Sequence, residues 1–412
     1  MKAKVAVKAL ADALNKVSKA AATRGTHYDA VDSLKYAKIV ARDGQLVVGC
    51  TNIALALVVR VAADVEREGA CAVPAHTTSK LLKELAAGYE TVELTFEPGS
   101  RHAVFTCGSA IWNVPAVSDD GFPWLPESLD KSELIFSADA RAFAGAVKQI
   151  GYAAALHDSD DVPLVFQCIS VHLNGTGVRM GACDRCRAAI TYLQPDDRVP
   201  EERHFYLPAE KLAKACALFA RAKGQIQFFS ESFCEHGVEY DYAILRCGDI
   251  AAAVRLVRSE YRFLDAIDKL IYPLNKASGT VTVSRSALAA AMRRVLSVFG
   301  KRDNRLGGIA TRFEATDGQL SMLVMPPNGA TGAKEPSCSE YIDAALTGTF
   351  NGMLNALYVL DVAESLACER VVLSAQLGSD KSELSKPVIV RPIDEEGNVR
   401  DSYLAIIMPL KR

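Results

Sequence analysis

Apolar and polar positions along this chain follow two periods, and the switches between them predict its elements. "KALADALNKVSKA" (8–20) sets Leu10, Leu14 and Val17 at i, i+4 and i+7, one apolar stripe on a helix. "ARAFAGAVKQIGYA" (140–153) sets Phe143, Val147 and Ile150 at the same spacing, and "RSALAAAMRRVLSV" (285–298) does so with Leu288, Met292 and Val295. After each helix comes a turn and then a strand: "DGQLVVGCTN" (43–52), "GTGVRMGACD" (175–184) and "DGQLSMLVMP" (317–326). A third feature follows. "VPAHTTSKLLKELAAGYETVELTF" (73–96) and "LPAEKLAKACALFARAKGQIQFF" (207–229) both read as strand, Pro-Ala, amphipathic helix, short turn and strand. "FNGMLNALYVLDVAESLACERVVLSA" (350–375) is the third copy, without the Pro-Ala and about four residues longer.

Three features in one order, repeated three times, define a repeat. Each copy holds two helices and several strands, so the expected class is α+β with three tandem similar domains, each with two helices against antiparallel sheets. Turn residues in "GFPWLPESLDKSE" (121–133) and "YPLNKASG" (272–279) put the boundaries near 1–131, 132–274 and 275–412. The chain ends on "YLAIIMPLKR". Leu404 to Met408 reads as a strand that pairs inside a sheet, and Pro409, with no N–H to give, ends it.

Composition narrows the class. Of 412 residues, 50% are hydrophobic and 23% charged, the balance of a globular protein. No apolar run approaches the ~20 residues that span a bilayer, and the polar, alternating start does not suit a secretory signal. A transit peptide is a competing use of that start, but its stripe already makes it the first helix. The 11 cysteines are scattered singly through apolar stretches, among them Cys50, Cys71, Cys107, Cys168 and Cys216. That pattern suits buried thiols in a reducing compartment. A net charge of −2 leaves room for a basic face beside an acidic one.

Catalytic motifs are missing. There is no Gly-x-x-x-x-Gly-Lys-Ser/Thr loop, no Gly-x-Ser-x-Gly elbow and no His-Glu-x-x-His. The one metal-like motif is "CDRC" (183–186). Zinc needs four ligands, and the nearest candidates, Cys234 and His236 in "FCEHG", have Cys-x-His spacing. The motif also closes a strand instead of opening a helix, as a redox pair would. Two pocket thiols are the simpler reading, with Cys186 activated if Arg185 and Arg187 stabilise its thiolate. A zinc- or thiol-dependent enzyme built on this motif stays open as a competitor.

The order of the repeats, with "TNIALAL" (51–57), "GACAVPA" (69–75), "GFPWLP" (121–126), "VHLNG" (171–175), "ACDRCR" (182–187), "YVLDV" (358–362) and "IIMPLKR" (406–412), resembles the bacterial DNA polymerase III β subunit, the sliding clamp. The resemblance covers essentially the whole chain. It implies the DNA clamp fold and a homodimeric ring around duplex DNA. It further implies a non-catalytic processivity factor of the cytoplasm, nucleoid-associated, with no cofactor. Partners would be double-stranded DNA without sequence readout, and DNA polymerase and clamp-loader subunits docking by short linear peptides. No membrane is involved. A clamp-like interaction module that does not encircle DNA is the alternative.

Carried over residue by residue, the peptide cleft would involve Phe166, Asp184, Arg187, Ala188, Ile267, Leu306, Asn355, Tyr358, Ile406, Met408, Pro409 and Leu410. This chain departs from the family there. Asp-Gly-His-Arg-Leu is "DRCRA" (184–188), the Pro and Tyr of Phe-Pro-x-Tyr are Arg262 and Leu264, and Asn351 adds a second register beside Asn355. A sliding ring needs cations facing phosphates without base readout. The repeated helices and their flanks offer Lys16, Lys19, Arg24, Lys80, Lys83, Lys148, Lys211, Lys214, Arg221, Lys223, Arg293 and Arg294, with Arg24 at a DNA-contacting position of the family. The acidic "HDSDDVP" (157–163) opposes them. Ring closure would pair the first unit of one protomer with the third of the other, with "SRHAVFTCGSAIWNV" (100–114) and "LSMLVMPP" (320–327) as edge strands.

Overall fold

The computed structural model describes residues 1–22, 32–156, 162–199, 202–220, 222–235, 237–271, 277–299, 309–316, 318–324, 337–375 and 386–410, without the side chains of 270, 271 and 299. Its elements fall into three runs. The first is β1 (Lys2–Ala6), α1 (Val7–Val17), β2 (Tyr36–Arg42), β3 (Gln45–Thr51), β4 (Leu55–Ala62), β5 (Asp64–Arg67), β6 (Gly69–Pro74), α2 (Ala75–Leu85), β7 (Thr91–Thr95), β8 (His102–Cys107) and β9 (Ala110–Pro115). The second is β10 (Glu133–Asp139), α3 (Ala140–Ile150), β11 (Cys168–Leu173), β12 (Val178–Cys183), β13 (Arg187–Leu193), β14 (Arg203–Pro208), α4 (Ala209–Phe219), β15 (Gln225–Glu235), β16 (Val238–Cys247) and β17 (Ile250–Arg255). After α5 (Phe263–Ile271) comes the third: β18 (Gly279–Ser284), α6 (Arg285–Phe299), β19 (Ala310–Thr316), β20 (Gly318–Val324), β21 (Cys338–Gly348), β22 (Asn351–Asn355), α7 (Ala356–Ser365), β23 (Arg370–Ala375), β24 (Val388–Ile393) and β25 (Tyr403–Ile407).

The predicted stripes are core. Leu10, Leu14 and Val17, then Phe143, Val147 and Ile150, then Leu288, Met292 and Val295 are all buried. Burying a large side chain of this kind contributes about 1.5–3 kcal/mol. One device starts all three helices. The first N–H has no partner within the helix, and it is met each time by the carbonyl just before the strand that pairs with the helix's own leading strand. Val7 N donates to Glu90 O at 3.0 Å, Ala140 N to Gly224 O at 3.0 Å and Arg285 N to Glu369 O at 2.9 Å. The strand pairs behind this are β1–β7, β10–β15 and β18–β23, all antiparallel.

The chain divides into two compact units. One comprises Met1–Gly145, Gln194–Glu201 and Glu210–Val257, and the other Ala146–Leu193, Glu202–Ala209 and Arg258–Arg412. The first unit has a five-stranded sheet, β5-β1-β7-β8-β9, and an eight-stranded sheet, β10-β15-β16-β17-β4-β3-β2-β6. The second has a twelve-stranded sheet, β14-β11-β12-β13-β25-β24-β23-β18-β21-β20-β19-β22. Each large sheet thus crosses from one run of elements into another, by β17 on β4 and by β25 on β13. In the first unit, the loop before β10 packs Leu125 and Trp124 onto the sheet, with the Trp124 ring 4.7 Å from that of Tyr242.

Two expectations change. β25 ends at Ile407, one residue before the predicted end, although Met408 N still donates to Cys186 O. "LSMLVMPP" is not an edge. Its described part is β20, which lies between β19 and β21. The edges of the second unit's sheet are β14 and β22. In the first unit β9 is an edge, as expected of 100–114.

Gly279 and Gly348 pair across β18 and β21 at a close approach of two backbones. A Cβ on Gly279 would lie 1.9 Å from Thr349 O, and one on Gly348, at φ +75°, 2.2 Å from Ser278 O. Gly279→Ala is therefore expected to lower the unfolding free energy by about 3 kcal/mol in urea titration, by backbone strain. Gly88→Ala, with nothing within 4 Å, serves as the near-neutral control. On the edge pair β11–β14, His204 Nε2 lies 2.7 Å from Ser170 Oγ and its ring stacks 5.4 Å from His172. Burial first, then His172, lowers the His204 pKa from 6.5 to about 4. The unfolded chain therefore takes up a proton that the folded one refuses. Stability from this group is complete above pH 6.5 and falls as pH drops toward about 4. His204→Gln should flatten that part of a stability–pH curve.

Candidate functional site

Most of the expected cleft residues gather around the three-residue turn, Asp184 to Cys186, between β12 and β13. Asp184 N donates to Arg187 O at 3.1 Å, which closes the hairpin. The Asp184 carboxylate then caps its own turn, accepting from Cys186 N at 2.9 Å and Arg187 N at 2.8 Å. It also accepts from Arg187 Nε at 2.9 Å. At the tip, Arg185 takes φ +76°, a left-handed conformation that a non-glycine residue adopts only with strain.

Arg187 is the centre of the site and is 7% exposed. Its other end reaches Asp361 on α7. The guanidinium lies 4.4 Å from the centre of the Tyr358 ring and 5.5 Å from that of Tyr152. Burial opposes its charge, but Asp184 and Asp361 outweigh burial and hold its pKa above the ordinary value. The Tyr152 hydroxyl continues to Tyr403 at 2.9 Å, and Tyr403 to Ser365 at 3.2 Å. Burial first, then Asp184, pushes Tyr358 up to about 12, so the phenol stays neutral.

Beside this node, Ala188 pairs with Ile406 across β13 and β25, both buried. The C-terminal strand passes over the turn and onto the edge of the sheet: Met408 N donates to Cys186 O at 2.9 Å and Leu410 N to Met353 O of β22 at 2.8 Å. Met408 is exposed, whereas Pro409 and Leu410 are half-buried. Asn355 is buried and caps α7, its side chain accepting from Leu357 N at 3.0 Å. Phe166 is covered by Tyr261 and Phe263, at ring distances of 5.8 and 6.3 Å, and by Arg185 at 6.0 Å. Ile267 is buried on α5, the helix that carries Phe263. Leu306 lies outside the described residues.

Seven of the expected residues are thus floor: Phe166, Arg187, Ala188, Ile267, Asn355, Tyr358 and Ile406. The exposed groups are Arg185, Cys186 and Met408, with Tyr261 and Leu164 beside Phe166. Neither Tyr261 nor Leu164 was singled out from the sequence. Leu164 follows Pro163 and Tyr261 lies between Glu260 and Arg262, so no local pattern marks either.

The Cys-x-x-Cys spans the turn, Cys183 ending β12 and Cys186 preceding β13. Burial pushes Cys183 up to about 11. Cys186 is also raised, by partial burial first and Asp184 second, and these outweigh Arg185 and Arg187. The expected activation of Cys186 by those arginines is therefore reversed, because burial and the Asp184 carboxylate outweigh both.

The helix cations divide. Lys16 pairs with Asp12 at 2.6 Å, Lys214 with Glu210 at 2.6 Å, and Lys211 with Glu210 at 3.4 Å. Arg293 pairs with Glu364 at 2.8 Å, and Arg294 with Glu340 through two hydrogen bonds of 2.8 and 2.7 Å. Lys19, Lys80, Lys83, Lys148 and Lys223 are exposed and make no ion pair among the described residues. Arg24, Arg221 and most of the acidic 157–163 stretch lie outside the described residues.

These sheets and helices form the DNA clamp fold, with tandem domains of one design. Residues 1–126 match the family model described as DNA polymerase III beta subunit, N-terminal domain. The chain is 24% identical over 355 residues to the beta sliding clamp homolog GriR of Streptomyces muensis, covering 86% of this chain and 85% of that protein. It is 23% identical over 362 residues to the beta sliding clamp of Synechococcus elongatus, covering 87% and 86%. The crystal structure of the beta subunit from DNA polymerase of Streptococcus pyogenes superposes with a TM-score of 0.81 at 17% identity, covering 100% of both chains. The chain is thus similar to bacterial β sliding clamps over most of its length.

Removing one partner of a buried ion pair leaves the others uncompensated, at about 3–5 kcal/mol. Arg187→Met should cost that much in urea unfolding. Adding Asp361→Asn should recover part of the loss, whereas simple additivity of the two changes would show that the pair is not coupled.

Proposed function

We propose that this protein is a DNA polymerase processivity factor: two copies close into a ring around duplex DNA and tether polymerase and other replication proteins through the Arg187 cleft. The observation that carries the ring is a junction used twice inside the chain and left open a third time. In the first junction, β17 pairs with β4, and in the second, β25 pairs with β13. β9 occupies the same place in its run as β17 and β25, and β21 the same place as β4 and β13. Among the described residues, β9 pairs with β8 alone, and residues 338–343 of β21 pair with β20 alone.

The made junctions also fix a register. Ile250, first in β17, lies opposite Val59, and Tyr403, first in β25, opposite Thr191. Val59 and Thr191 are each three residues beyond their hairpin's first rung, Thr51↔Ala56 and Cys183↔Ala188. The corresponding rung in the third run is Val324↔Cys338. The same rule places Ala110 of one copy opposite Tyr341 of the other, and Asn113 opposite Cys338. Strand residues at the made junctions are nearly all buried, whereas Ile111 is 63% and Tyr341 54% exposed. An open edge of this kind invites another chain. Two such junctions per pair of protomers would close the ring.

The five unpaired lysines on the helices and their flanks supply the sequence-independent attraction to phosphates that sliding requires. The work is topological and needs no catalysis. Among the described residues no helix is long and apolar enough to cross a membrane. The division into 1–131, 132–274 and 275–412 is part of the same proposal. One observation favours the second reading, an interaction module that does not encircle DNA: Arg293 and Arg294 are held by glutamates and withdrawn from phosphates.

Asn113→Cys tests the register and the ring together. Under mild oxidation it should form a disulfide-linked dimer with the native Cys338, in a ladder pair at ordinary disulfide reach, whereas the unmodified protein does not. Placed on a nicked circular plasmid by a clamp loader and ATP and oxidised only afterwards, the protein should survive a high-salt wash and leave when the circle is cut. Absence of the cross-link contradicts the junction. Equal retention on circle and linear DNA favours the second reading.

A further inference from the structure

We propose that the first unit carries a site for a phosphate-class oxyanion, built by Arg42, Arg60 and Arg246 on one face of its eight-stranded sheet. Register fixes that face. Arg60 of β4 lies opposite Val47 of β3, and Val47 opposite Val40 of β2. Arg42 stands two residues beyond Val40 on the same strand. In the other direction, Val58 of β4 lies opposite Ala251 of β17, and Ala251 opposite Arg246 of β16. Residues two apart on a strand share a face. All three arginines therefore leave the sheet on one side, with Arg60 between the other two.

The acids on this face are engaged elsewhere. Glu127, on the loop between β9 and β10, takes Lys38 at 3.2 Å and Arg42 at 3.5 Å, and Asp119 takes Lys38 at 3.2 Å. Arg60 gives Nη2 only to the Glu127 carbonyl, and Arg246 gives Nε to Gly248 O at 3.4 Å. Neither arginine makes a salt bridge among the described residues. Arg60 Nη1 is buried and has no hydrogen-bond partner among the described residues. A buried charged donor without an acceptor is costly and calls for an explanation. Burial first, then repulsion from Arg246 and Arg42, lowers the Arg60 pKa, against smaller pulls from Asp249 and Glu127.

An oxyanion that enters beside the half-buried Arg42 and Arg246 side chains relieves both strains. It supplies an acceptor for Nη1 and separates like charges. Each guanidinium fork matches two oxygens of such a group. Phosphate suits the site better than a carboxylate, because its tetrahedral oxygens face Arg60 and a neighbour on either side at once, whereas a carboxylate has two oxygens in one plane. Because Arg60 also holds the Glu127 carbonyl, the bound anion fastens the loop that joins the first run of elements to the second.

The test is calorimetric titration of the full-length protein with inorganic phosphate, at constant ionic strength in chloride. A single phosphate should bind per chain. Arg246→Gln should weaken it about tenfold, the loss of one charge-assisted hydrogen bond, and Arg42→Gln should weaken it as well. Arg101→Gln, which removes an exposed arginine elsewhere in the same unit, should leave it unchanged. In chloride alone Arg246→Gln should melt no lower than the unmodified protein, because it removes a repulsion. Phenyl phosphate binding as tightly as the free ion would support a site for a phosphate carried on a larger molecule. Binding of inorganic phosphate alone would support a site for the free ion. Absence of saturable phosphate binding, equal binding of acetate, or an affinity untouched by Arg246→Gln overturns the proposal.

Discussion

The constraint on which the rest of this structure depends is that a β-strand edge must be covered. Each run of elements ends on a strand, and in two of the three places that strand is laid against the outer hairpin of a neighbouring run, β17 on β4 and β25 on β13. Those ladders turn separate repeats into continuous sheets, and they bury both contributing strands. A chain of three such repeats has one C-terminal strand and one hairpin left over. In this protein they are β9 and β21, with alternate residues exposed. An edge left open in this way invites pairing with another chain.

The second ordering feature is a buried charge. Arg187 ties the β12–β13 turn to α7 through Asp361, and its aromatic contacts lead through Tyr152 and Tyr403 to Ser365. A buried pair of this kind is weak evidence for net stability but strong evidence for a fixed geometry, since any other arrangement strands a charge. The rigid floor lets the rim vary. Arg185 and Met408 stay exposed at that rim, whereas Arg187 and Tyr358 are buried beneath it.

The helices and their order were legible in the sequence because their cause is local. An i, i+4, i+7 stripe such as Leu10, Leu14 and Val17 has one good solution against a sheet. The Lys16–Asp12 and Lys214–Glu210 pairs follow the four-residue spacing that brings neighbours together on a helix, although both lysines were expected to face phosphates. The edge strand of the third run was not legible. β20 alternates as an edge strand does, and only its pairing on both sides, with β19 and β21, places it inside the sheet. The resemblance named positions but not their states. That Arg187 is held by Asp361, 174 positions away, and that burial and Asp184 outweigh the arginines at Cys186, follow from contacts that no local pattern encodes.

The central claim is that β9 and β21 complete each other between two copies. Backbone hydrogen exchange, followed from dilute to concentrated protein, addresses it most directly. Pairing in the register set by the internal junctions predicts that the amides of 110–114 and 337–341 that face the open edge slow together as the protein associates, while the already paired 250–254 and 403–407 are unaffected. Association that leaves both open segments exchanging fast, and protects another surface instead, would contradict the account.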